Sequence, residues 1–117
     1  MSIYLQIDKD MCLCGITPTG CIVIPDGIKS IGDWAFEDCK KITGIIIPSG
    51  VTSIGDCAFW GCSSLTSITI PYGVTSIGDN AFSGCASLER IKVPKYFDAD
   101  VEYRWGLLTC GCEVIRY

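Results

Sequence analysis

Residues 47–69 read IPSGVTSIGDCAFWGCSSLTSIT, and this stretch decides the fold because the chain repeats it on both sides. Residues 24–46 read IPDGIKSIGDWAFEDCKKITGII and residues 70–92 read IPYGVTSIGDNAFSGCASLERIK, so each unit begins 23 residues after the last. Val93-Pro94 opens a further unit at the same interval. Glycines, phenylalanines and cysteines that recur in register indicate an internal repeat rather than one amphipathic element.

Each unit is too small to bury its own apolar side chains. Coils of a solenoid solve this problem by stacking, so that each coil buries its apolar residues against its neighbours. Within a coil, Leu65-x-x-Ile68-x-Ile70 alternates with a period of two, which predicts a strand with one buried face. Equivalent strands of successive coils should pair in parallel, at a spacing of about 4.8 Å.

The rest of the coil predicts turns and a second short extended piece. Gly27, Gly50 and Gly73 follow a proline by two positions and predict a turn in which glycine takes a positive φ. The Val-Thr-Ser-Ile segment is read as extended. The Asp-x-Ala-Phe-x-Gly-Cys segment is read as a half-turn of helix that the aspartate caps. The phenylalanines and cysteines should face inward and stack from coil to coil.

The consensus I-P-x-G-V-T-S-I-G-x-x-A-F-x-G-C-x-S-L-T-x-I resembles the BspA-like, or Treponema-type, leucine-rich repeats. The resemblance covers residues 19–94 and rests on both the period and the individual residues. It implies a mostly-β repeat solenoid of parallel strands. Members of that family are often surface proteins of bacteria or protists and are associated with adhesion and protein–protein interaction. The resemblance therefore implies a role in binding another protein.

We predict one leucine-rich-repeat domain over residues 1–117, with non-repeating caps at both ends. Residues 1–18 form the N-terminal cap, residues 19–94 the repeats and residues 95–117 the C-terminal cap. The N-terminal cap is read as a hairpin or as a degenerate coil. In the C-terminal cap, one or two helical turns near 97–105 and a final strand at 112–117 are expected. Aromatic residues should cover the last coil there, namely Tyr96, Phe97, Tyr103 and Trp105.

Composition argues against several classes of function. The chain has no histidine, which is the commonest general base, and it has no phosphate-binding loop or dinucleotide fingerprint. We therefore expect no enzyme activity, no catalytic residues and no cofactor. A net charge of −4 argues against direct nucleic-acid binding, because phosphate backbones attract basic surfaces. No apolar run approaches the roughly 20 residues of a membrane span.

The N-terminal residues do not read as a signal peptide. This pattern predicts a cytoplasmic protein if the chain is complete, and a surface or secreted protein if it is a fragment of a longer family member.

The nine cysteines are read mainly as reduced thiols. Cys39, Cys62 and Cys85 share one repeat position and form a ladder, in which buried free thiols are favoured over a disulfide. Cys12-Leu13-Cys14 and Cys110-Gly111-Cys112 raise the question of a zinc site. Their one-residue gaps and their positions at opposite ends argue against it, so no metal residues are assigned. Cys57 occupies a variable position and is expected to be exposed and reactive.

The binding surface should lie where the repeat varies. Two neighbouring columns of outward-facing strand residues change from apolar to charged along the stack. These columns carry Val23, Ile46, Thr69, Lys92, Ser67 and Arg90. The N-terminal cap covering part of this face is the alternative. A second candidate patch consists of variable aromatic residues, namely Trp34, Trp60 and Tyr72, because exposed aromatics often anchor interfaces.

The function predicted from these observations is a non-catalytic protein–protein interaction module whose partner is another protein. A second copy of the chain, meeting it through the caps, is a further candidate partner. The alternative is a small cytosolic inhibitor that binds and occludes an enzyme, for example a nucleic-acid-processing one. The acidic charge and the free thiols motivate that alternative.

Overall fold

The computed structural model describes residues 10–11, 20–97, 104–107 and 112–117. These residues contain nine strands. In chain order the strands are β1 (Asp10–Met11), β2 (Gly20–Val23), β3 (Ser30–Ile31), β4 (Ile42–Ile46), β5 (Ser53–Ile54), β6 (Ser67–Thr69), β7 (Ser76–Ile77), β8 (Arg90–Val93) and β9 (Glu113–Arg116).

The strands form two parallel sheets, one on each side of the coil. The five-stranded sheet has the order β2-β4-β6-β8-β9, and the four-stranded sheet has the order β1-β3-β5-β7. Ile45 pairs with Ile68 in the first sheet, and Ser53 pairs with Ser76 in the second, so the register equals the sequence period. This arrangement confirms a mostly-β solenoid of parallel strands with 23-residue coils. It also confirms that the Ser-Ile segments are extended.

The interior is apolar and repeats from coil to coil. The rings of Phe36 and Phe59 stack with centroids 5.2 Å apart, and those of Phe59 and Phe82 stack at 5.4 Å. All three rings are fully buried. Inward-facing aliphatic residues of the two sheets, such as Ile45 and Ile54, surround this column. The prediction that the phenylalanines share one interior is confirmed.

The segment that follows the Ser-Ile strand was expected to be a capped half-turn of helix, and this expectation is wrong. Trp34 and Cys57 have φ values of 60° and 54°, in the left-handed region, so a helix cannot continue through them. The aspartate does not cap its own coil. Asp33 Oδ1 instead accepts a hydrogen bond from the backbone N–H of Asp56 in the next coil, at 2.7 Å. The segment is a turn whose polar groups join neighbouring coils.

The glycine after each proline behaves as expected only in the first coil. Gly27 has a φ of 98°, whereas neither Gly50 nor Gly73 has a positive φ. At Gly73 the constraint is space, because an added Cβ would lie 2.7 Å from the carbonyl oxygen of Ser49. Close approach of two coils therefore explains that glycine better than backbone conformation does.

The C-terminal residues close one end of the stack. Strand β9 extends the five-stranded sheet by pairing in parallel with β8. Trp105 is fully buried and meets Phe82 and Phe97 edge-on, with ring centroids 6.1 Å and 5.3 Å apart. Its indole covers the end of the phenylalanine column, as expected of a capping aromatic. Tyr103 and most of the expected helical turns lie outside the described residues.

At the N-terminal end, Asp10 and Met11 form a strand parallel to Ser30 and Ile31. This pairing continues the four-stranded sheet, and it favours the degenerate coil over the hairpin for that part of the N-terminal cap. The remaining cap residues, 1–9 and 12–18, lie outside the described residues, so the cap boundaries stay predictions.

Candidate functional site

The outer face of the five-stranded sheet carries the outward-facing strand residues singled out from the sequence. Ile22 and Ile45 point inward and are buried, while their neighbours Val23 and Ile46 are 46% and 54% exposed. Val23 pairs with Ile46, and Thr69 pairs with Lys92 further along the sheet. The described residues leave these apolar side chains open to solvent.

A second column of outward-facing residues lies beside the first, and its residues also pair in register. Cys21 pairs with Gly44, Gly44 with Ser67, and Ser67 with Arg90. We call the outward residues of these two columns the sheet face. It comprises Val23, Ile46, Thr69, Lys92, Cys21, Gly44, Ser67 and Arg90. The side chains pass from apolar at β2 and β4 to cationic at β8.

Strand β9 lengthens the sheet face in a way that the sequence did not show. Lys92 pairs with Ile115, and Arg90 pairs with Glu113. The sequence predicted a final strand at residues 112–117, but these residues lie outside the repeat, so the repeat period could not assign their register. The cationic end of the face therefore also contains one carboxylate, Glu113.

A shallow groove of about 700 Å³ runs along the apolar half of the sheet face. Ile46, Thr69 and Tyr72 line it, together with Tyr117. Gly44 also lines the groove and adds no side chain to it, although an added Cβ would make only an ordinary contact with Cys21 Sγ, at 3.5 Å. The groove thus joins exposed aliphatic and aromatic side chains on one surface.

Tyr72 lines this groove and lies apart from Trp34 and Trp60, although the three residues were predicted to form one patch. Its ring packs edge-on against Tyr117, with centroids 4.8 Å apart, and lies 6.2 Å from the ring of Tyr96. The Tyr96 hydroxyl lies 2.5 Å from the carbonyl oxygens of both Tyr72 and Val74. The Tyr117 hydroxyl donates to the carbonyl oxygen of Ile70. These contacts hold the Tyr72 ring in place while 53% of it stays exposed.

Trp34 and Trp60 form a separate surface on the turns that follow the four-stranded sheet. Their ring centroids are 6.0 Å apart, and the ring planes are inclined at 56°. Trp34 is 48% exposed and Trp60 is 36% exposed. The structure therefore divides the predicted aromatic patch into a tyrosine that borders the groove and a tryptophan pair elsewhere.

Cys21, Cys39, Cys57 and Cys62 are free thiols. In the ladder, the Sγ atoms of Cys62 and Cys85 each lie 3.2 Å from a carbonyl oxygen of the preceding coil, those of Phe36 and Phe59. Burial, together with the charge of Asp38, raises the pKa of the Cys39 thiol to about 11. Burial also raises the pKa of Cys62 far above its ordinary value. Buried neutral thiols in this column agree with a structural role.

Cys57 was expected to be exposed and reactive. It is only half-exposed, and its Sγ lies 3.8 Å from the carbonyl oxygen of Asp79. Burial and the charges of Asp56, Asp33 and other nearby carboxylates raise the pKa of this thiol. Because the thiolate is the nucleophile, this environment opposes the expected reactivity.

We expect alkylation by iodoacetamide to distinguish these positions in the native protein near neutral pH. Cys21 is exposed and should react first, Cys57 slowly, and Cys62 only after denaturation. Mass spectrometry of the labelled peptides gives the order of alkylation. Equal rates for Cys62 and Cys21 in the native protein would contradict the buried ladder.

The raised pKa of Cys39 favours the neutral thiol in the folded state. The contribution of this thiol to stability should therefore hold below about pH 9 and be lost as the pH rises through about 11.

Within the described ranges, no three acidic or cysteine side chains gather as a set of metal ligands. Cys12, Cys14 and Cys110, which raised the question of zinc, lie outside those ranges. Among the same described residues, no helix combines the length and apolarity needed to cross a membrane.

Comparison with known proteins agrees with the repeat architecture. A family model described as a BspA type leucine rich repeat region in 6 copies matches residues 9–100. No protein with a curated description matches the chain.

Solved structures of bacterial proteins share the fold. A leucine rich cell surface protein from Faecalibacterium prausnitzii matches 97% of this chain at 29% identity, with a TM-score of 0.69. A leucine-rich repeat protein from Eubacterium ventriosum matches 86% at 25% identity, with a TM-score of 0.65. A leucine-rich repeat protein from Bacteroides ovatus, at 22% identity and a TM-score of 0.56, shares the fold. The chain spans about a third of the length of the first two proteins, 33% of each.

Proposed function

Because this chain belongs to the BspA-type leucine-rich-repeat family, we propose that it is a non-catalytic module that binds another protein through its sheet face. The observation that carries the proposal is the pair of exposed apolar side chains of Val23 and Ile46, of which Ile46 lines the groove. Contiguous exposed apolar surface on a soluble domain commonly marks an interaction site.

The groove has the composition of an interface centre. Ile46 lies in the groove and Tyr72 borders it, and the contacts of Tyr72 with Tyr117 and Tyr96 hold its ring before a partner arrives. Binding energy concentrates on a few well-packed aromatic and apolar anchors, and a side chain that is already ordered loses less entropy on binding. Ile46 and Tyr72 are therefore our candidates for the residues that contribute most.

The polar and charged residues of the sheet face supply selectivity. Thr69 and Ser67 offer hydroxyl groups in the middle of the face, and Lys92 and Arg90 offer positive charge at its end. Charged residues at the border of an interface mainly set the association rate and the choice of partner. A partner with an apolar centre and an acidic border would match this gradient.

For the location of the protein, we favour the cell surface. The similar protein from Faecalibacterium prausnitzii is described as a cell surface protein, and this chain covers 33% of it. A short stack of coils would then act as the binding part of a longer surface protein. The cytoplasmic placement and a second copy as partner remain predictions.

Ile46→Asp tests the sheet face directly. Ile46 is 54% exposed, so the substitution should leave the melting temperature nearly unchanged. A charge at the apolar centre of the groove should weaken binding of a purified partner about 30-fold, which corresponds to about 2 kcal/mol. The partner is obtained by affinity capture with the wild-type chain, then identified and purified, and its Kd is measured by calorimetry.

Ala86→Asp is the matched control, because it introduces the same charge at an exposed apolar position outside the groove lining. We expect this variant to bind as the wild type does. Equal affinity of both variants would show that the sheet face is not the site. Unfolding by Ile46→Asp alone would show that another part of the chain covers this column.

The inhibitor alternative rests on the acidic charge and the free thiols of the chain. The family and the structural relatives do not bear on it, and it stays a prediction. An inhibitor would form a tight one-to-one complex with an enzyme and abolish its activity, whereas an adhesive module would leave its partner's activity intact.

A further inference from the structure

Trp34 and Trp60 come from neighbouring coils and form an open corner on the turn side of the solenoid. Their rings are inclined at 56° with centroids 6.0 Å apart, so they present two aromatic faces that are not parallel. Both residues are exposed, Trp34 at 48% and Trp60 at 36%. Because both tryptophans are exposed to solvent, neither ring is needed to fill the core.

Three acidic residues lie in the turns that carry the two tryptophans, which we call the tryptophan corner. The backbone N–H of Trp34 donates to the carbonyl oxygen of Asp56 at 3.0 Å, and the N–H of Asp38 donates to the carbonyl oxygen of Trp60 at 2.8 Å. Glu37 lies in the same turn, since its N–H donates to the Trp34 carbonyl oxygen at 3.2 Å. The side chains of Asp38, Asp56 and Glu37 are exposed. The backbone hydrogen bonds therefore place three exposed acidic residues in the same or adjoining turns as the two tryptophans.

The surroundings of Cys57 also contain several acidic residues. Cys57 lies in the same turn as Trp60, because the Trp60 N–H donates to its carbonyl oxygen at 3.1 Å. Burial contributes most to the raised pKa of Cys57, and the charges of Asp56, Asp33, Glu37 and Asp79 follow. These four carboxylates act on one atom from three successive coils, so the repeat concentrates their charge.

We propose that the tryptophan corner binds an arginine or lysine side chain of a basic protein segment. A cation is attracted by the face of an aromatic ring, and tryptophan is the strongest of the aromatic partners. The neighbouring carboxylates add long-range attraction and select against anionic and neutral partners. Arginine should bind better than lysine, because a planar guanidinium can stack on one ring while it donates to a carboxylate.

This site is separate from the sheet face. The tryptophan pair lies on the turns after β3 and β5, whereas the groove lies on the outer face of β2, β4 and β6. A basic segment at the corner and a protein surface at the groove could belong to one partner or to two. Failure of either proposal leaves the other unaffected.

The repeat provides substitutions that remove the rings without disturbing the backbone. Asn80 occupies the position of Trp34 in a later coil and has a φ of 56°, close to the 60° of Trp34. Ser83 occupies the position of Trp60 in the next coil. Trp34→Asn with Trp60→Ser therefore replaces each ring with a residue that this fold already accepts at that position. Glu37→Gln with Asp38→Asn removes two charges and keeps both rings.

The probe is a fluorescein-labelled peptide of alternating arginine and serine residues, and the readout is fluorescence anisotropy on the intact chain. We expect the wild type to bind this peptide, with affinity that falls as salt is added. The tryptophan double variant should bind about tenfold more weakly. The charge variant should bind about fivefold more weakly and respond less to salt. A matched lysine–serine peptide should bind somewhat more weakly than the arginine one.

Several outcomes would overturn the proposal. They are absence of wild-type binding, unchanged binding by the tryptophan double variant, and equal binding of a glutamine–serine or glutamate–serine peptide. Self-association of the wild type that the tryptophan double variant abolishes would assign the corner to a second copy instead. Circular dichroism melts confirm that the variants fold. If the tryptophan variant does not fold, the charge variant and the salt response test the proposal, and unchanged binding by the charge variant would contradict it.

Discussion

Phe59→Ala is expected to lower the free energy of unfolding by about 3–5 kcal/mol, which is the usual cost of removing a buried aromatic side chain. Phe59 is fully buried and stacks on both sides, against Phe36 at 5.2 Å and Phe82 at 5.4 Å. Its loss would open a cavity in the middle of the column and separate the two halves of the core. For a domain whose total stability is about 5–15 kcal/mol, this loss is a large fraction of the free energy of unfolding.

The measurement is urea denaturation followed by circular dichroism. Phe59→Leu serves as the control, because it keeps an apolar group in the column and should cost clearly less. A midpoint for Phe59→Ala equal to that of the wild type would mean that Phe59 is not in a shared interior, and that the coils do not stack as described.

The second large effect is expected from Gly78→Ala. An added Cβ would lie 2.3 Å from Asp56 Oδ1, 2.4 Å from the Asp56 backbone nitrogen and 2.6 Å from its Cα. Backbone atoms cannot move aside as the end of a flexible side chain can, so the two coils would have to separate. We expect a loss of about 3 kcal/mol, at the upper end of the usual range for overpacking.

The separation would also disturb a hydrogen bond between the coils, since Asp56 Oδ1 accepts the backbone N–H of Asp79 at 2.9 Å. Gly50→Ala provides the control. The atom nearest to an added Cβ there is the Ile28 carbonyl oxygen at 3.8 Å, and Gly50 has no positive φ. Thermal melts should show a large decrease for Gly78→Ala and little change for Gly50→Ala. Equal melting temperatures for the two variants would contradict the close contact between coils.

The period of the sequence was sufficient to predict the coil, the parallel strands and the inward-facing phenylalanine of each repeat. Each copy restates the same pattern, so the register of one strand fixes the register of the next. Ile45 opposite Ile68 and Ser53 opposite Ser76 follow from the period alone. The sheet face could be predicted for the same reason, because outward positions alternate with inward ones along each strand.

Backbone conformation in the turns was harder to predict. Asp38 has a φ of 56°, and although aspartate enters the left-handed region more often than most residues, its residue type alone is only a weak signal of this conformation. The repeat did contain a signal, since Gly61 and Gly84 occupy the equivalent position with φ values of 77° and 78°. Asn80, which tolerates the left-handed region, is a similar signal for Trp34. Comparison of the copies at these positions would have argued against a helical half-turn.

The aromatic groove could not be predicted because it depends on residues outside the repeat. Tyr117 contacts Tyr72 from the far end of the chain, and its hydroxyl reaches the carbonyl oxygen of Ile70, 47 residues away. No period relates these positions, and their pairing depends on where β9 joins the sheet. Contacts of this kind can be identified only from the three-dimensional structure of the end of the stack.

The most direct test of the stacked interior is a nuclear Overhauser experiment on the aromatic protons of the phenylalanines, with the rings assigned selectively. Ring protons of Phe59 should show cross-peaks to Phe36 and to Phe82, whose centroids lie 5.2 Å and 5.4 Å away. Phe36 and Phe82 should show none to each other, since Phe59 lies between them. Absence of both Phe59 cross-peaks, or a direct one between Phe36 and Phe82, would contradict a solenoid of coils that share one apolar interior.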